Sequence, residues 1–332
     1  MKRIILTKVF PKLGIFYKER STPLVILFGI IFVLSLCTHS ISKENTDKVG
    51  RKWLDINYAG DNQTGHLLDI YIPAKGEAPY PVIVTIAGSA FFSDSSKHWA
   101  YGLGESLLDH GFAIVAVNHR SSRDALFPAQ INDIKGAVRF IRANASKYQL
   151  DTTFIGITGN SSGGHLAAMM GTSGGVDNYT VGEKTLSIEG NVGGNTKKSS
   201  RVDAVVDWYG PIAFQKMDSC GSEIMHDAPD SPESILIGGP IQKNDDLCAL
   251  ANPMTYIDKN DPPFLIIHGD ADPLVPHCQS VLLYQSLRKK CVECELITVP
   301  EGGHGEGVWI DEYIQRMVIF FTEIKNRKKG NQ

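Results

Sequence analysis

The sequence predicts an α/β protein with one mostly parallel central sheet and helices on both faces. Two observations carry this. Short runs such as Val82-Ile83-Val84-Thr85-Ile86 and Phe264-Leu265-Ile266-Ile267-His268 are apolar on both parities, as in strands buried on both faces. They alternate with stretches whose apolar residues recur every three or four positions, the pattern of crossover helices between parallel strands. The 332 residues are 42% hydrophobic and 21% charged, ordinary globular values that allow one large core. No internal repeat or low-complexity tract interrupts them.

In chain order, strands are expected at His66–Ile72, Pro81–Ile86, Ala113–Val117, Phe154–Thr158, Val202–Trp208, Phe264–His268 and Glu295–Val299. Ala129–Tyr148 places Ile134, Val138 and Ile141 on one helical face, with charges opposite. Val281–Lys290 and Val308–Lys325 behave alike, and Leu166–Met170 begins another helix. Two stretches break the rhythm. Asp177–Arg201 is rich in Gly, Asn, Thr and Lys, and reads as an excursion at one edge of the site. Ser219–Asn252 carries several prolines. Long insertions of this kind often shape binding sites. The whole is read as one domain, residues 41–328.

Residues 1–40 read as an export segment. Lys2, Arg3, Lys8, Lys12, Lys18 and Arg20 face only Glu19, and the apolar run Leu24–Leu36 follows. Thirteen residues are short for a membrane span and suit a signal peptide. Cys37 comes next. Its setting, Leu34-Ser35-Leu36-Cys37, resembles a lipoprotein cleavage box, although Leu36 is large where a small residue is usual. Thr38-His39-Ser40 offers an ordinary cleavage site instead. The expected location is therefore the periplasm or cell envelope as a lipoprotein, or the medium if secreted. Membrane contact is expected only through a lipid on Cys37 or an uncleaved anchor. The net charge is −3, and without its basic first segment the chain is more acidic still. No electrostatic footprint for nucleic acid is present.

Export permits disulfides. Five cysteines follow Cys37: Cys220, Cys248, Cys278, Cys291 and Cys294. Cys220 and Cys248 flank one loop-rich stretch and are the expected pair. The odd count leaves at least one free thiol. Cys291 and Cys294 form a lone C-x-x-C without a second pair or flanking His, so no zinc site is expected. The histidines are scattered, without paired ligand spacing, and no cofactor is implied.

The chemistry concentrates at Gly159-Asn160-Ser161-Ser162-Gly163-Gly164, between a strand and a helix. A strand turning sharply into a helix strains its apex residue. Glycines two before and two after relieve the crowding, and the apex side chain projects above the sheet. The apex is Ser161. The useful group of Ser162 is its backbone N–H, without an internal partner at a helix start, so replacing its side chain is expected to be mild. A serine hydroxyl needs a base, and the base needs an orienting acid. The strand Phe264–His268 runs into Gly269-Asp270-Ala271-Asp272, where two carboxylates compete. The strand Glu295–Val299 runs into Pro300-Glu301-Gly302-Gly303-His304-Gly305. Nucleophile, acid and histidine thus occur in the order imposed by α/β-hydrolases.

The segments GNSSGGHLA, HGDADPLVP and GGHG resemble α/β-hydrolases of the carboxylesterase and hormone-sensitive-lipase type. More narrowly, residues 199–211, 231–240 and 261–276 are similar to the BD-FAE-like branch, which contains feruloyl and acetyl-xylan esterases. The likeness covers roughly Asp55 to Phe321. It implies the α/β-hydrolase fold, with Ser161 as nucleophile, His304 as base and Asp272 as the orienting acid. It also implies small esters or acylated oligosaccharides as substrates. One departure stands out. The family carries His-Gly-Gly-Gly-Trp where this chain has Ala87-Gly88-Ser89-Ala90-Phe91. The backbone N–H groups of Ser89, Ala90 and Ser162 are expected to form the oxyanion hole, narrowed by the two side chains. Tyr209, Trp208 and Phe92 are candidates to line the pocket. Two other readings share features: a serine peptidase of prolyl-oligopeptidase type, for whose large N-terminal propeller there is no room, and a non-catalytic binding protein, which would commonly lack a triad member.

Overall fold

The computed structural model describes residues 48–330. The expected export segment, residues 1–40 with Cys37, lies outside the described residues. In chain order the main elements are β1 (Val49–Asn57), β2 (Leu67–Pro73), β3 (Tyr80–Ile86), α1 (Lys97–Leu108), β4 (Ala113–Val117), α2 (Ala129–Ala143), β5 (Leu150–Asn160) and α3 (Ser162–Thr172). Then follow β6 (Asn178–Val181), β7 (Lys184–Ser187), β8 (Ala204–Trp208), α4 (Pro232–Ile237), α5 (Asp245–Leu250), β9 (Phe264–Gly269), α6 (Cys278–Lys289), β10 (Cys294–Val299) and α7 (Asp311–Gly330).

Eight strands form one sheet in the order β1-β2-β4-β3-β5-β8-β9-β10. Within this sheet only β1 with β2 and β2 with β4 pair antiparallel, and β4, β3, β5, β8, β9 and β10 run parallel; β6 and β7 form a separate antiparallel hairpin. Because a central strand is buried on both faces, its side chains alternate between two cores. Val82, Val84 and Ile86 of β3, with Phe264 and Ile266 of β9, pack with Ile134, Val138 and Ile141 of α2, Leu166 and Met169 of α3 and Leu283 of α6. Ile83, Leu265 and Ile267 point the other way, onto Leu107 and Leu108 of α1 and Phe320 and Phe321 of α7. Each such side chain buried fully is worth about 1.5–3 kcal/mol. This is the α/β-hydrolase arrangement. Among the described residues no helix is long and apolar enough to cross a membrane.

The chain turns to opposite sides of β3 to make β4 and β5. The carboxyl ends of β3 and β5 therefore border a crevice where the strand order reverses, the position at which such sheets bind ligands. Both the 87–91 loop and the Ser161 turn leave from those ends.

The two insertions do different work. Residues 177–201 contain the β6–β7 hairpin and brace α2: Glu189 accepts from Lys135 Nζ at 3.1 Å and Arg139 Nη1 at 2.5 Å, and both cations are buried. Among the described residues their hydrogen bonds and ion pairs go to α2, to α5 and to the Thr255 carbonyl, not to the elbow, so their expected place at the edge of the site is corrected. The cysteine expectation is corrected too. Cys220 is bonded to Cys278, the first residue of α6. Cys248 is a buried free thiol whose Sγ meets the carbonyl of Ile241 at 3.4 Å. It lies on the apolar side of α5, packed into the first core, while Cys220 stands on the loop that reaches across to α6. Cys291 and Cys294 are free.

Candidate active site

Ser161 occupies the apex between β5 and α3 with φ 52° and ψ −127°. A non-glycine residue there carries strain of about 1–3 kcal/mol, and its neighbours hold it in place. Its N–H donates to the Trp208 carbonyl at 2.9 Å, and its carbonyl accepts from His165 N–H at 3.1 Å. The flanking glycines are required by contact. A Cβ on Gly159 would stand 2.2 Å from the Gly163 carbonyl oxygen, and one on Gly163 2.2 Å from that of Ile86.

The structure brings Ser161, His304 and Asp272 together. Ser161 Oγ lies 3.0 Å from His304 Nε2, and His304 Nδ1 lies 2.7 Å from Asp272 Oδ2. Asp270, the rival carboxylate, accepts from Glu301 N–H at 2.7 Å and so anchors the loop that carries His304. Asp272 is fully engaged. Its Oδ1 takes the N–H groups of Leu274 and Val275, each at 2.9 Å, and its Oδ2 is also 3.2 Å from Nε2 of buried His268. Burial pushes this carboxyl up, but the hydrogen bonds from His268 and His304 outweigh it, and the net places it well below the usual carboxylate range. His165 is a structural histidine. Burial lowers it to about 4, and its Nδ1 donates to the Pro211 carbonyl at 2.7 Å.

The oxyanion loop differs from expectation. Ser89 N–H donates to Ser162 Oγ at 2.9 Å, so it is spent inside the protein. The Ser89 hydroxyl accepts from Ser93 N–H at 3.2 Å. Among the described residues, the N–H groups of Ala90 and Ser162 have no hydrogen-bond partner within the protein. Ala90 and Phe91 both have positive φ, 52° and 65°. This turn carries Ala90 past Ser89 as the residue whose N–H is open. The Ser162 side chain therefore has a role that the sequence did not reveal: it holds the 87–91 loop against the elbow. Ser162→Ala leaves a donor without its acceptor, at a cost of about 1–3 kcal/mol. We expect kcat/KM for an ester to fall about tenfold. A change below twofold would mean that water replaces the lost acceptor.

Of the pocket candidates, Trp208 is corrected. It is fully buried, stacks on Trp309 at 4.1 Å and donates Nε1–H to Thr158 Oγ1 at 3.1 Å. It stands on a central strand whose even positions feed the second core. Tyr209 is also buried, but lies edge-on to the His304 ring at 4.7 Å. Its hydroxyl accepts from Trp309 Nε1–H at 2.5 Å. It backs the imidazole rather than offering a surface. Phe92 is half-buried beside the oxyanion loop, with the Arg123 guanidinium 4.5 Å above its ring. His268 was missed as a partner of Asp272. Its signal was its place four residues before that aspartate, at the end of β9. Among the described residues no group of His, Cys, Asp and Glu could hold a metal ion.

Comparison with known proteins bears on the family and the fold. The BD-FAE family model matches residues 68–287. A truncated carbohydrate esterase from gut microbiota superposes with a TM-score of 0.81 at 44% identity, covering 84% of this chain and 98% of that one. A bifunctional GH43-CE protein of Bacteroides eggerthii gives 0.79 at 53% identity, over 82% of this chain and 35% of its own length. Esterase LipQ of Mycobacterium tuberculosis is 30% identical over 239 residues, 70% of this chain; the chain spans about half of that relative, 52%.

Proposed function

The chain belongs to the BD-FAE family, and from that premise we propose that it is an exported serine carboxylic-ester hydrolase. Its substrates on this reading are acetyl or feruloyl esters of plant cell-wall polysaccharide. The hydrogen-bonded line Asp272–His304–Ser161, ending at two open N–H groups, carries the proposal. His304 Nε2 takes the Ser161 proton as Oγ attacks the ester carbonyl. The N–H groups of Ser162 and Ala90 receive the negative oxygen. Collapse expels the sugar alcohol, which takes its proton from His304 and leaves an acyl group on Ser161. Water, deprotonated by His304, then releases the acid. The carbohydrate side of the reading is supported by the similar carbohydrate esterase. Export, to the cell envelope through a lipid on Cys37 or to the medium, is supported by the basic and apolar first segment and by the Cys220–Cys278 bond.

Product release from acetylated xylan and from a feruloylated arabinoxylan oligosaccharide, run beside Ser161→Ala, tests the substrate class. Acetate alone would mean a small acyl pocket, and ferulate a site open to an aromatic acid. Neither product, with p-nitrophenyl acetate still cleaved, would keep the hydrolase and remove the plant-wall substrate.

A further inference from the structure

Asp272 is held by the N–H ends of two consecutive peptide units, and the carbonyl ends of both are held by one distant segment. Leu274 N–H and Val275 N–H donate to Asp272 Oδ1. The carbonyl sharing a peptide plane with Leu274 N–H is that of Pro273, and it accepts from Glu223 N–H at 2.9 Å. The carbonyl sharing a plane with Val275 N–H is that of Leu274. It accepts from His226 Nε2–H at 2.9 Å and the Ser222 hydroxyl at 3.1 Å. The disulfide from Cys220 fastens the same segment to Cys278, just beyond the acid loop.

His226 is buried and faces acceptors on both sides. Its Nδ1 lies 2.8 Å from Oε2 of Glu233, itself buried in the first turn of α4. A carboxylate at Nδ1 and a carbonyl at Nε2 both call for N–H, which an imidazolium supplies at both nitrogens; the Ser222 hydroxyl also lies 3.1 Å from Nε2. A neutral ring would set a nitrogen lone pair against one of the two oxygens. The other charged groups near it are Asp218, whose carboxylate takes the His226 and Asp227 N–H groups, and Asp227, which is bonded to Gln242. From the acid loop it meets only the Leu274 carbonyl.

We infer that residues 218–233 form a strap that positions Asp272 through these two peptide units, with the His226 imidazolium as the charge at its far end. A donor on a peptide carbonyl polarises that peptide and strengthens the bond made by its N–H. His226 and Glu233 are thus positioning residues that never touch the substrate. The inference rests on the proposed role of Asp272. Its consequence is an alkaline limit to turnover: when His226 loses its proton, the Val275 N–H bond to Asp272 weakens. The shift of His226 agrees with this. Burial lowers its pKa, but Glu233 more than offsets it, and the net is a rise.

The test is kcat and KM for p-nitrophenyl acetate against pH for the wild type and Glu233→Gln, with circular dichroism at each pH. Glutamine still accepts from Nδ1–H but no longer stabilises the cation. The alkaline fall in kcat should move down by about one pH unit, the scale of a lost neighbouring charge, with KM and the acid limb unmoved. Coincident alkaline limbs in two folded proteins would overturn the inference. If Glu233→Gln does not fold, 15N-histidine NMR of the wild type decides, with His226 assigned by its loss in His226→Gln or, failing that, by its contacts to residues 274 and 233. Its titration midpoint must match the alkaline limb; a His226 already neutral at pH 8 overturns the inference. A wild type that folds but cleaves no ester would instead refute the hydrolase reading, which the NMR result leaves separate.

Discussion

Ser161→Ala is expected to lower kcat/KM for ester hydrolysis by about 10⁴–10⁶, the scale for removing a triad nucleophile. That corresponds to roughly 5–8 kcal/mol of lost transition-state stabilisation. The argument is geometric. The hydroxyl is the atom 3.0 Å from His304 Nε2, beside the N–H groups of Ala90 and Ser162. On the proposed mechanism no acyl-enzyme forms without it, and only the two open N–H groups and substrate binding remain to favour hydrolysis by water. The fold should persist. The Ser161 backbone bonds to Trp208 and His165 do not use the side chain, and alanine at φ 52° is no more strained than serine. Thermal unfolding should therefore coincide with that of the wild type. A fluorophosphonate probe followed by peptide mass spectrometry should label Ser161 in the wild type and nothing in the variant. If Ser162→Ala were the silent enzyme and Ser161→Ala the active one, the elbow assignment would be wrong.

How far the sequence could be read depends on where each signal lives. β4 was read to the residue at both ends, and β3 and β9 to within one residue, because burial on both faces leaves a run with no polar interruption. β1 was missed. It is an antiparallel edge strand, mostly exposed, and VGRKWLDIN shows no such run. α1 was missed because Gly102 and Gly104 weaken its helical signal; Gly104 is small because a Cβ would stand 2.9 Å from Thr85 Cγ2. The meeting of Ser161, His304 and Asp272 was legible because each follows a strand that ends on the same rim. The oxyanion donors were only half legible. Which N–H is free depends on a single hydrogen bond, from Ser89 to the side chain of Ser162, across 73 residues. The disulfide depended likewise on which loop reaches α6, and no local pattern encodes that. The strap shares this character. Ser222, His226 and Glu233 look like scattered polar residues in a proline-containing loop until Leu274 is placed beside them.

Asp272→Asn should cost about 10⁴ in kcat, the scale known for an orienting acid turned to its amide, with little change in KM. Both carboxylate oxygens serve as acceptors. Oδ1 takes two backbone N–H groups, and Oδ2 takes Nδ1 of His304 and Nε2 of His268. An amide has one oxygen. If that oxygen stays on the backbone donors, the NH₂ group faces His304 and drives its proton to Nε2. The ring then presents N–H to Ser161 and cannot accept its proton. If the amide turns over, its NH₂ meets Leu274 and Val275 N–H, and the acid loop must move. Either arrangement defeats the base, so the loss should exceed that from any change in the strap, which leaves the carboxylate in place. The same contacts make a stability prediction with a definite sign. The carboxyl is held below its unfolded value of about 3.9. Its contribution to folding is therefore present above that pH and lost as pH falls through the lower folded value. Asp272→Asn should lower Tm at pH 7, and the gap to the wild type should narrow in strong acid. A gap of the same size at pH 7 and in strong acid would show that the loss comes from packing rather than from the charge, and a kcat within tenfold of the wild type would remove Asp272 from the relay.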